Sequence, residues 1–344
     1  MIAQHKSSLS QASIRNTENE QLSYCNKIGE ARKTPLTEEG KFVNEEFPFG
    51  PTFEDFKRWR RESNPYAEEK KTSRWALPTA VDTSWKNNHQ DFIMWLGHAS
   101  FLLRINGIYL ITDPVFGNAT PLHKRKSAFP MDLSLLPSVD YILLSHNHRD
   151  HFNKKSLRIL KKKNPNIQIL SGLRMDKLLK GIFQKENIQC AGWYQQYQVN
   201  PLKITFLPAR HWAKRGLFDN NDHLWGAFVI QYNQTSIYFS GDTGEGRHLK
   251  EAGDWFQPNY VIMGIGAYQP EWFMQSNHIS PKNAIKAFQS MKGSWMIPMH
   301  YGCFDLSNES MEDPLRVYLQ EKQVQPNPNA FLSPIPGEII WLTH

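Results

Sequence analysis

The densest chemistry in this chain is the string Ser145-His146-Asn147-His148-Arg149-Asp150-His151. Its three imidazoles and one carboxylate form a nitrogen and oxygen donor set that suits zinc, with manganese or iron as alternatives. Further donors follow downstream: His211 in Pro208-Ala209-Arg210-His211-Trp212, Asp242 in Gly241-Asp242-Thr243-Gly244, and His300 in Met299-His300-Tyr301-Gly302. His146, His148, Asp150, His151, His211, Asp242 and His300 are more groups than one tetrahedral zinc can use. They match two metal ions with three protein ligands each and one shared carboxylate, so a dinuclear centre is expected. A purely hydrogen-bonded role fits poorly, because so many converging imidazoles repel one another when protonated.

A pocket of this kind needs elements that deliver its residues to one place. Each donor set follows an apolar β-type run: Tyr141–Leu144, Leu202–Leu207, Ser236–Phe239 and Ser294–Met299. Earlier runs at Asp91–Leu96, Ser100–Ile105 and Ile108–Thr112 are separated by the turn signals Gly97, Asn106-Gly107 and Asp113-Pro114. Further strands are expected over Ile167–Leu170, Trp225–Tyr232 and Tyr260–Ile265. Helices are expected over about Asn153–Lys163, Arg174–Gln184 and Pro281–Met291, the last with proline in its first turn. Two successive sheet-then-helix halves predict sheets packed face to face with helices outside.

The chain has 344 residues, enough for two ordinary domains or one large α/β domain with an extension. Hydrophobic residues at 40% and aromatics at 12% exclude disorder as a whole, while a mean hydropathy of −0.56 marks very polar surfaces and ends. No run reaches the roughly 18 apolar residues of a membrane-spanning helix. The opening stretch lacks the apolar region of a secretory signal, so a chain that is cytoplasmic, or peripheral on the inner face of a membrane, is expected. Cys25, Cys190 and Cys303 are too scattered for a disulfide framework or a thiolate zinc knuckle. With 40 Lys plus Arg against 33 Asp plus Glu, the net charge of +7 suits an anionic partner without requiring one. No basic module or stacking platform marks a nucleic-acid partner, and none is expected.

Residues 1–40 read as a mobile tail, 41–90 as an N-terminal arm with a short helix, and 91–344 as the main domain that carries the donor residues. Within the arm, Phe53, Phe56 and Trp59 share one helical face. Such a helix either packs on the main domain or lies in a lipid interface, with Lys57, Arg58, Arg60 and Arg61 at the head groups.

The metal motifs occur together with WLGHAS over Trp95–Ser100, TDPVF over Thr112–Phe116, SHNH over Ser145–His148 and HWAKR over His211–Arg215. LWG over Leu224–Gly226 and GAYQPEWFM over Gly266–Met274, followed by His278, complete the set. On these strings the chain resembles the metallo-β-lactamase superfamily, and within it the phospholipases D that hydrolyse N-acylphosphatidylethanolamine. The resemblance runs from about residue 40 to the C-terminus. It implies an α/β (α+β) protein, an αββα four-layer sandwich with an N-terminal extension.

By the same resemblance, His146, His148 and His211 would hold one zinc, Asp150, His151 and His300 the other, and Asp242 would bridge them. A hydroxide between the zincs would attack phosphorus in line and release phosphatidate and an N-acylethanolamine. Asp150 and His278 would be the catalytic residues. His278 would contact the scissile phosphate or transfer a proton, unless its role is structural. A phospholipid substrate, peripheral membrane contact and a homodimer are implied as well.

The chain departs from this pattern at Arg149, where the family carries a tyrosine that helps to position lipid. Arg149 either binds the substrate by gripping phosphate bidentately, or it points to solvent or pairs with an acidic neighbour. His98 and Asp113 match no ligand; they serve a turn or, for Asp113, orient a ligand histidine. His5, His89, His123, His223, His248 and His344 read as ordinary surface or tail residues. Trp212, Tyr268, Trp272 and Phe273 line an apolar path to the metals or pack in the core. Two other functions stay open: a lactonase or phosphodiesterase acting on a soluble phosphorylated metabolite, and a non-catalytic metal- or lipid-binding protein. The intact donor set speaks against the second.

Overall fold

Residues 92–97 read FIMWLG, apolar throughout, as a strand covered on both faces must be. Its side chains alternate between two separate cores: Ile93 and Trp95 enter one, Phe92, Met94 and Leu96 the other. The whole architecture follows from that division.

The computed structural model describes residues 14–26, 32–47 and 51–343. Within them, in chain order, lie β1 (Arg15–Thr17), β2 (Thr34–Leu36), α1 (Phe53–Arg61), α2 (Ala67–Thr72), β3 (Phe92–Gly97), β4 (Ser100–Ile105), β5 (Ile108–Thr112) and β6 (Tyr141–Leu144). Next come α3 (Lys154–Lys163), β7 (Gln168–Gly172), α4 (Asp176–Leu179), β8 (Ile188–Ala191), β9 (Lys203–Leu207), β10 (Ala227–Tyr232) and β11 (Thr235–Phe239). The chain continues through α5 (Arg247–Phe256), β12 (Tyr260–Gly264), α6 (Glu271–Met274), α7 (Pro281–Met291), β13 (Trp295–Met299), α8 (Asp313–Gln323) and β14 (Ile339–Trp341).

One sheet has seven strands in the order β14-β3-β4-β5-β6-β7-β8, and the other has five in the order β13-β12-β11-β10-β9. They face each other across the larger core, where the rings of Phe101 and Phe239 lie 6.4 Å apart. The outer face of the seven-stranded sheet is covered by Leu157 and Leu160 of α3 over Ile142, Leu144 and Ile169. The five-stranded sheet is covered by Leu249, Ala252 and Phe256 of α5 with Ile285 and Phe288 of α7. This is an αββα sandwich, as expected. At Gly253 a Cβ would stand 2.3 Å from the Cα of Met291, so glycine lets α5 lie directly against α7.

Strand direction brings the site together. β3 and β4 are antiparallel, as are β4 and β5, whereas β5 and β6 are parallel, so β3, β5 and β6 end at the same sheet edge. In the other sheet β9, β11, β12 and β13 likewise run one way, because two antiparallel pairings flank β10 and the rest are parallel. The residues after these strands all open onto one rim of the sandwich.

Two expectations need correction. The described parts of residues 14–40 do not form a mobile tail: β1 pairs with β2, and Leu22, Cys25, Thr34 and Leu36 are buried. Their polarity is satisfied internally, as where Thr34 Oγ1 accepts from Trp193 N and Gln195 Oε1 accepts from Asn19 N and Gly192 N. The remaining part of that expectation, residues 1–13 and 27–31, lies outside the described residues. The helix expected over Arg174–Gln184 is only the four-residue α4, because Arg174 takes a left-handed φ of 67° and Gly181 follows closely. In the arm, α1 is matched by a second short helix, α2.

Candidate metal centre

The loop after β6 is a tight turn in which the His148 carbonyl accepts from the N–H groups of His151 and Phe152, at 3.2 and 2.8 Å. It ends at Asn153, whose side chain caps α3 by accepting from Ser156 N. Several strands that reach the rim finish in a left-handed residue that turns the chain: His98 (φ 54°), Asp113 (φ 31°), Gly241 (φ 55°) and His300 (φ 66°). Such conformations cost about 1–3 kcal/mol each in residues other than glycine, and they concentrate at functional sites.

Two donor sets result. In the first, Nε2 of His146 and of His211 lie 2.9 and 3.1 Å from Nδ1 of His148, and each lies 3.8 Å from Asp242 Oδ2. In the second, His151 Nε2 is 3.4 Å and His300 Nε2 3.6 Å from Asp150 Oδ2. Asp242 also closes this second set, with Oδ2 3.1 Å from His151 Nε2 and Oδ1 3.2 Å from His300 Nε2. A tetrahedral zinc with bonds near 2.0–2.1 Å holds its donors roughly 3.3 Å apart, so both sets have the right spacing. Asp242 belongs to both.

Hydrogen bonds behind the rings fix which nitrogen faces the cluster. Asp113 Oδ2 accepts from Ser145 Oγ at 2.5 Å and from His151 Nδ1 at 2.8 Å. Because the only Ser145 hydroxyl proton goes to that carboxylate, Ser145 Oγ accepts from His146 Nδ1 at 2.9 Å. The Asn277 carbonyl accepts from His211 Nδ1 at 3.0 Å. All three rings therefore carry their proton on Nδ1 and turn a bare Nε2 lone pair inward. His98 Nε2 sits 2.8 Å from Asp150 Oδ2 and steadies that carboxylate.

Among the described residues, the buried atoms His148 Nε2, His151 Nε2, Asp242 Oδ1 and both ring nitrogens of His300 have no hydrogen-bond partner. Buried polar atoms left unpaired are costly, and a cation held in the second set would satisfy His151 Nε2, His300 Nε2 and Asp242 Oδ1. Charge points the same way. Burial raises the Asp242 carboxyl, yet His151 and His300 outweigh it and hold it well below the usual range. Burial lowers His300, but Asp242 and Asp150 carry it up to about 9. His146 and His211 are held well below the usual imidazole value, chiefly by burial. The clusters His146/His148/His211/Asp242 and His98/Asp150/His151/His300 are thus able to hold metal ions.

His278 reaches the same rim, with Nδ1 3.9 Å from Asp242 Oδ2 and its ring between those of His211 and His300 at 5.3 and 5.2 Å. Burial lowers it to about 4. Arg149 is exposed, and its guanidinium donates to the Arg215 carbonyl at 3.2 Å rather than to an acidic neighbour. Asp113 orients His151, one of the two roles weighed for it. Trp212 is 36% exposed with its ring edge-on to His148. Tyr268 is instead buried, its hydroxyl donating to Asp313. Trp272 and Phe273 meet the arm: Phe273 stacks on Trp59, and Arg58 lies over Trp272.

His223, expected at the surface, is instead buried, its Nδ1 3.3 Å from Asn147 Nδ2 of the loop after β6. His89 and His123 are exposed, His248 pairs with Thr243 at 2.9 Å, and His5 and His344 lie outside the described residues. Sequence reasoning missed Asn44, which bonds to the His211 backbone, and the Asn277 carbonyl. Adjacency to His278 is a signal for Asn277, whereas Asn44 has none.

The Beta-lactamase superfamily domain matches residues 109–301, more than half of the chain, and the chain belongs to that superfamily. It is 31% identical to N-acyl-phosphatidylethanolamine-hydrolyzing phospholipase D 1 of Caenorhabditis elegans, over 62% of this chain and 65% of that protein. It is 28% identical to the mitochondrial N-acyl-phosphatidylethanolamine-hydrolyzing phospholipase D of Saccharomyces cerevisiae, over 69% of this chain and 53% of that protein. The chain therefore spans less than two thirds of the length of these relatives. A solved structure of a possible metal-dependent hydrolase from Veillonella parvula shares the fold, with a TM-score of 0.60 and 17% identity over 74% of this chain and all of that one.

Proposed function

We propose that the chain is a metal-dependent hydrolase with a dinuclear zinc centre that cleaves the phosphodiester of N-acylphosphatidylethanolamine-like phospholipids, yielding phosphatidate and an N-acylethanolamine. The observation that carries the reading is the pair of donor sets sharing Asp242, in which the buried His151 Nε2, His300 Nε2 and Asp242 Oδ1 have no hydrogen-bond partner. The lipid is supported by the two similar phospholipases D. His146, His148 and His211 would hold one ion and Asp150, His151 and His300 the other, with Asp242 between them. Bound divalent ions supply Lewis-acid polarisation of phosphate oxygens and an acidified water.

The protein's own groups do the rest. Asp113 and Ser145 keep His151 and His146 in the tautomer that presents Nε2. His278, half-buried beside Asp242, is placed to donate to a phosphate oxygen or to pass a proton to the departing alkoxide. Arg149 stands exposed near Arg215, where the two positive groups favour an anionic headgroup at the rim.

Peripheral membrane contact belongs to the same proposal. Leu217 and Phe218 are 83% and 90% exposed on the loop that follows His211, and Phe53 of α1 is 73% exposed beside Lys57. No helix among the described residues is long and apolar enough to cross a membrane. The test is hydrolysis of N-acylphosphatidylethanolamine in mixed micelles beside a soluble bis-aryl phosphodiester, using protein of measured metal content. Cleavage of the lipid in strong preference to the soluble ester is expected. Cleavage of the soluble ester alone would remove the lipid assignment and leave the metal centre.

A further inference from the structure

His211 stands apart from the other donors in how its backbone is held. It follows β9 by four residues, past the regular strand, on a segment whose preceding residue, Arg210, pairs with Gly244 and donates its N–H to Thr243 Oγ1. What fixes it comes from the N-terminal arm. The Asn44 side-chain amide accepts from the His211 N–H at 3.2 Å and donates to the His211 carbonyl at 3.0 Å. A carboxamide that takes both backbone groups of one residue acts as a one-residue strand partner. Its oxygen accepts in addition from Trp225 Nε1 at 3.2 Å, and Trp225 Nε1 also donates to the Ala209 carbonyl at 2.8 Å.

The arm is itself anchored on both sides of Asn44. Phe42 is fully buried and its N–H donates to the Asn221 carbonyl at 2.9 Å; Lys41 pairs with Asp222 at 2.6 Å. Beyond it, Glu45 accepts from the Tyr194 hydroxyl at 2.8 Å and Glu46 from Arg247 N at 2.7 Å. The amide therefore meets His211 from a fixed base. With Asn277 gripping Nδ1 from the opposite side, backbone and ring of His211 are set by two segments remote from it in sequence.

We propose that Asn44 is a positioning residue for the metal centre, acting through the His211 backbone to hold that imidazole in register with His146 and His148. The inference rests on the metal reading above. Groups that orient a metal ligand typically change metal affinity by 10–100-fold when removed.

The test is titration of the metal-free full chain with cobalt(II), following its ligand-field spectrum, together with zinc stoichiometry by elemental analysis. Wild type is expected to bind two ions; if it binds none, the metal reading itself fails. Asn44→Ala is expected to weaken one of the two ions by roughly 10–100-fold and to alter the cobalt spectrum. Lys41→Ala, which loosens the same arm without touching His211, is expected to leave both unchanged. Two ions bound by Asn44→Ala with wild-type affinity and spectrum would overturn the proposal. So would an equal loss in Lys41→Ala, since the arm as a whole and not the amide would then be responsible. Should the alanine variant not fold, Asn44→Asp decides: it keeps the acceptor for His211 N–H but opposes the His211 carbonyl, so the same selective loss is expected and unchanged binding overturns the proposal.

Discussion

The two donor sets share a carboxylate but are braced from different parts of the molecule. The Asp150, His151 and His300 set is supported by groups at the ends of central strands: Asp113 after β5 holds His151, and His98 after β3 holds Asp150. In the His146, His148 and His211 set, His146 leans through Ser145 on the same Asp113, but His211 draws on the periphery, with Asn44 of the arm and the Asn277 carbonyl setting it. The first kind of support comes with the sheet, whose strands β3 and β4 are fully buried. The second depends on segments that must dock separately, so the His211 side is the one that distant changes can tune.

Substitutions at the shared point should affect both sets equally, those at Asp113 both sets unequally, and those at the arm only the His211 set. Asp242→Asn removes the common charge and is expected to abolish turnover, by on the order of 10³-fold or more, with loss of bound metal. Circular dichroism should show the fold kept; retained turnover would show that Asp242 is not shared. Next in size, Asp113→Asn replaces the acceptor that orients His151 and, through Ser145, His146. A fall of about 10–100-fold in metal affinity is expected, weighted towards the His151 side and measurable by competition with a chelator.

Acidity separates the metal-free from the loaded state. His300 is raised from 6.5 to about 9 by Asp242 and Asp150 against the opposing effect of burial. That pairing stabilises the metal-free fold fully below about pH 6.5 and is lost as pH rises through about 9. Thermal unfolding of metal-free protein should therefore show a midpoint that falls across this window. Added zinc should stabilise more strongly towards its upper end, because the ion no longer has to displace a proton. A midpoint independent of pH in both states would contradict the charge arrangement. The smallest effect is expected at the rim: Arg149→Ala should change stability by no more than about 0.5 kcal/mol in a denaturant titration, since the side chain is exposed. Its effect should appear as a higher KM for an anionic substrate.

The chemistry was more legible in the sequence than its scaffolding. His146, His148, Asp150 and His151 are adjacent, and His211, Asp242 and His300 each follow an apolar run, so strand ends alone place them together. α7 begins and ends where proline and the apolar period put it. By contrast β14 and the β1–β2 pair have three residues each, too few for a period of two to show, and they exist through partners far along the chain. α5 was passed over: its sequence RHLKEAGDWF carries a mid-helix glycine, which reads as a break until Met291 is seen against it. Asn44 was illegible for a related reason, because a lone asparagine in a polar arm gains meaning only from the His211 backbone opposite.

Asp242 lies between two donor sets, each able to hold a metal ion, so metal content depends on that one carboxylate. Elemental analysis of the purified full chain beside its Asp242→Asn variant tests it most directly, with both dialysed against the same trace zinc. Two ions per wild-type chain and a marked loss in the variant are expected. One ion per wild-type chain, or two in both proteins, would contradict it.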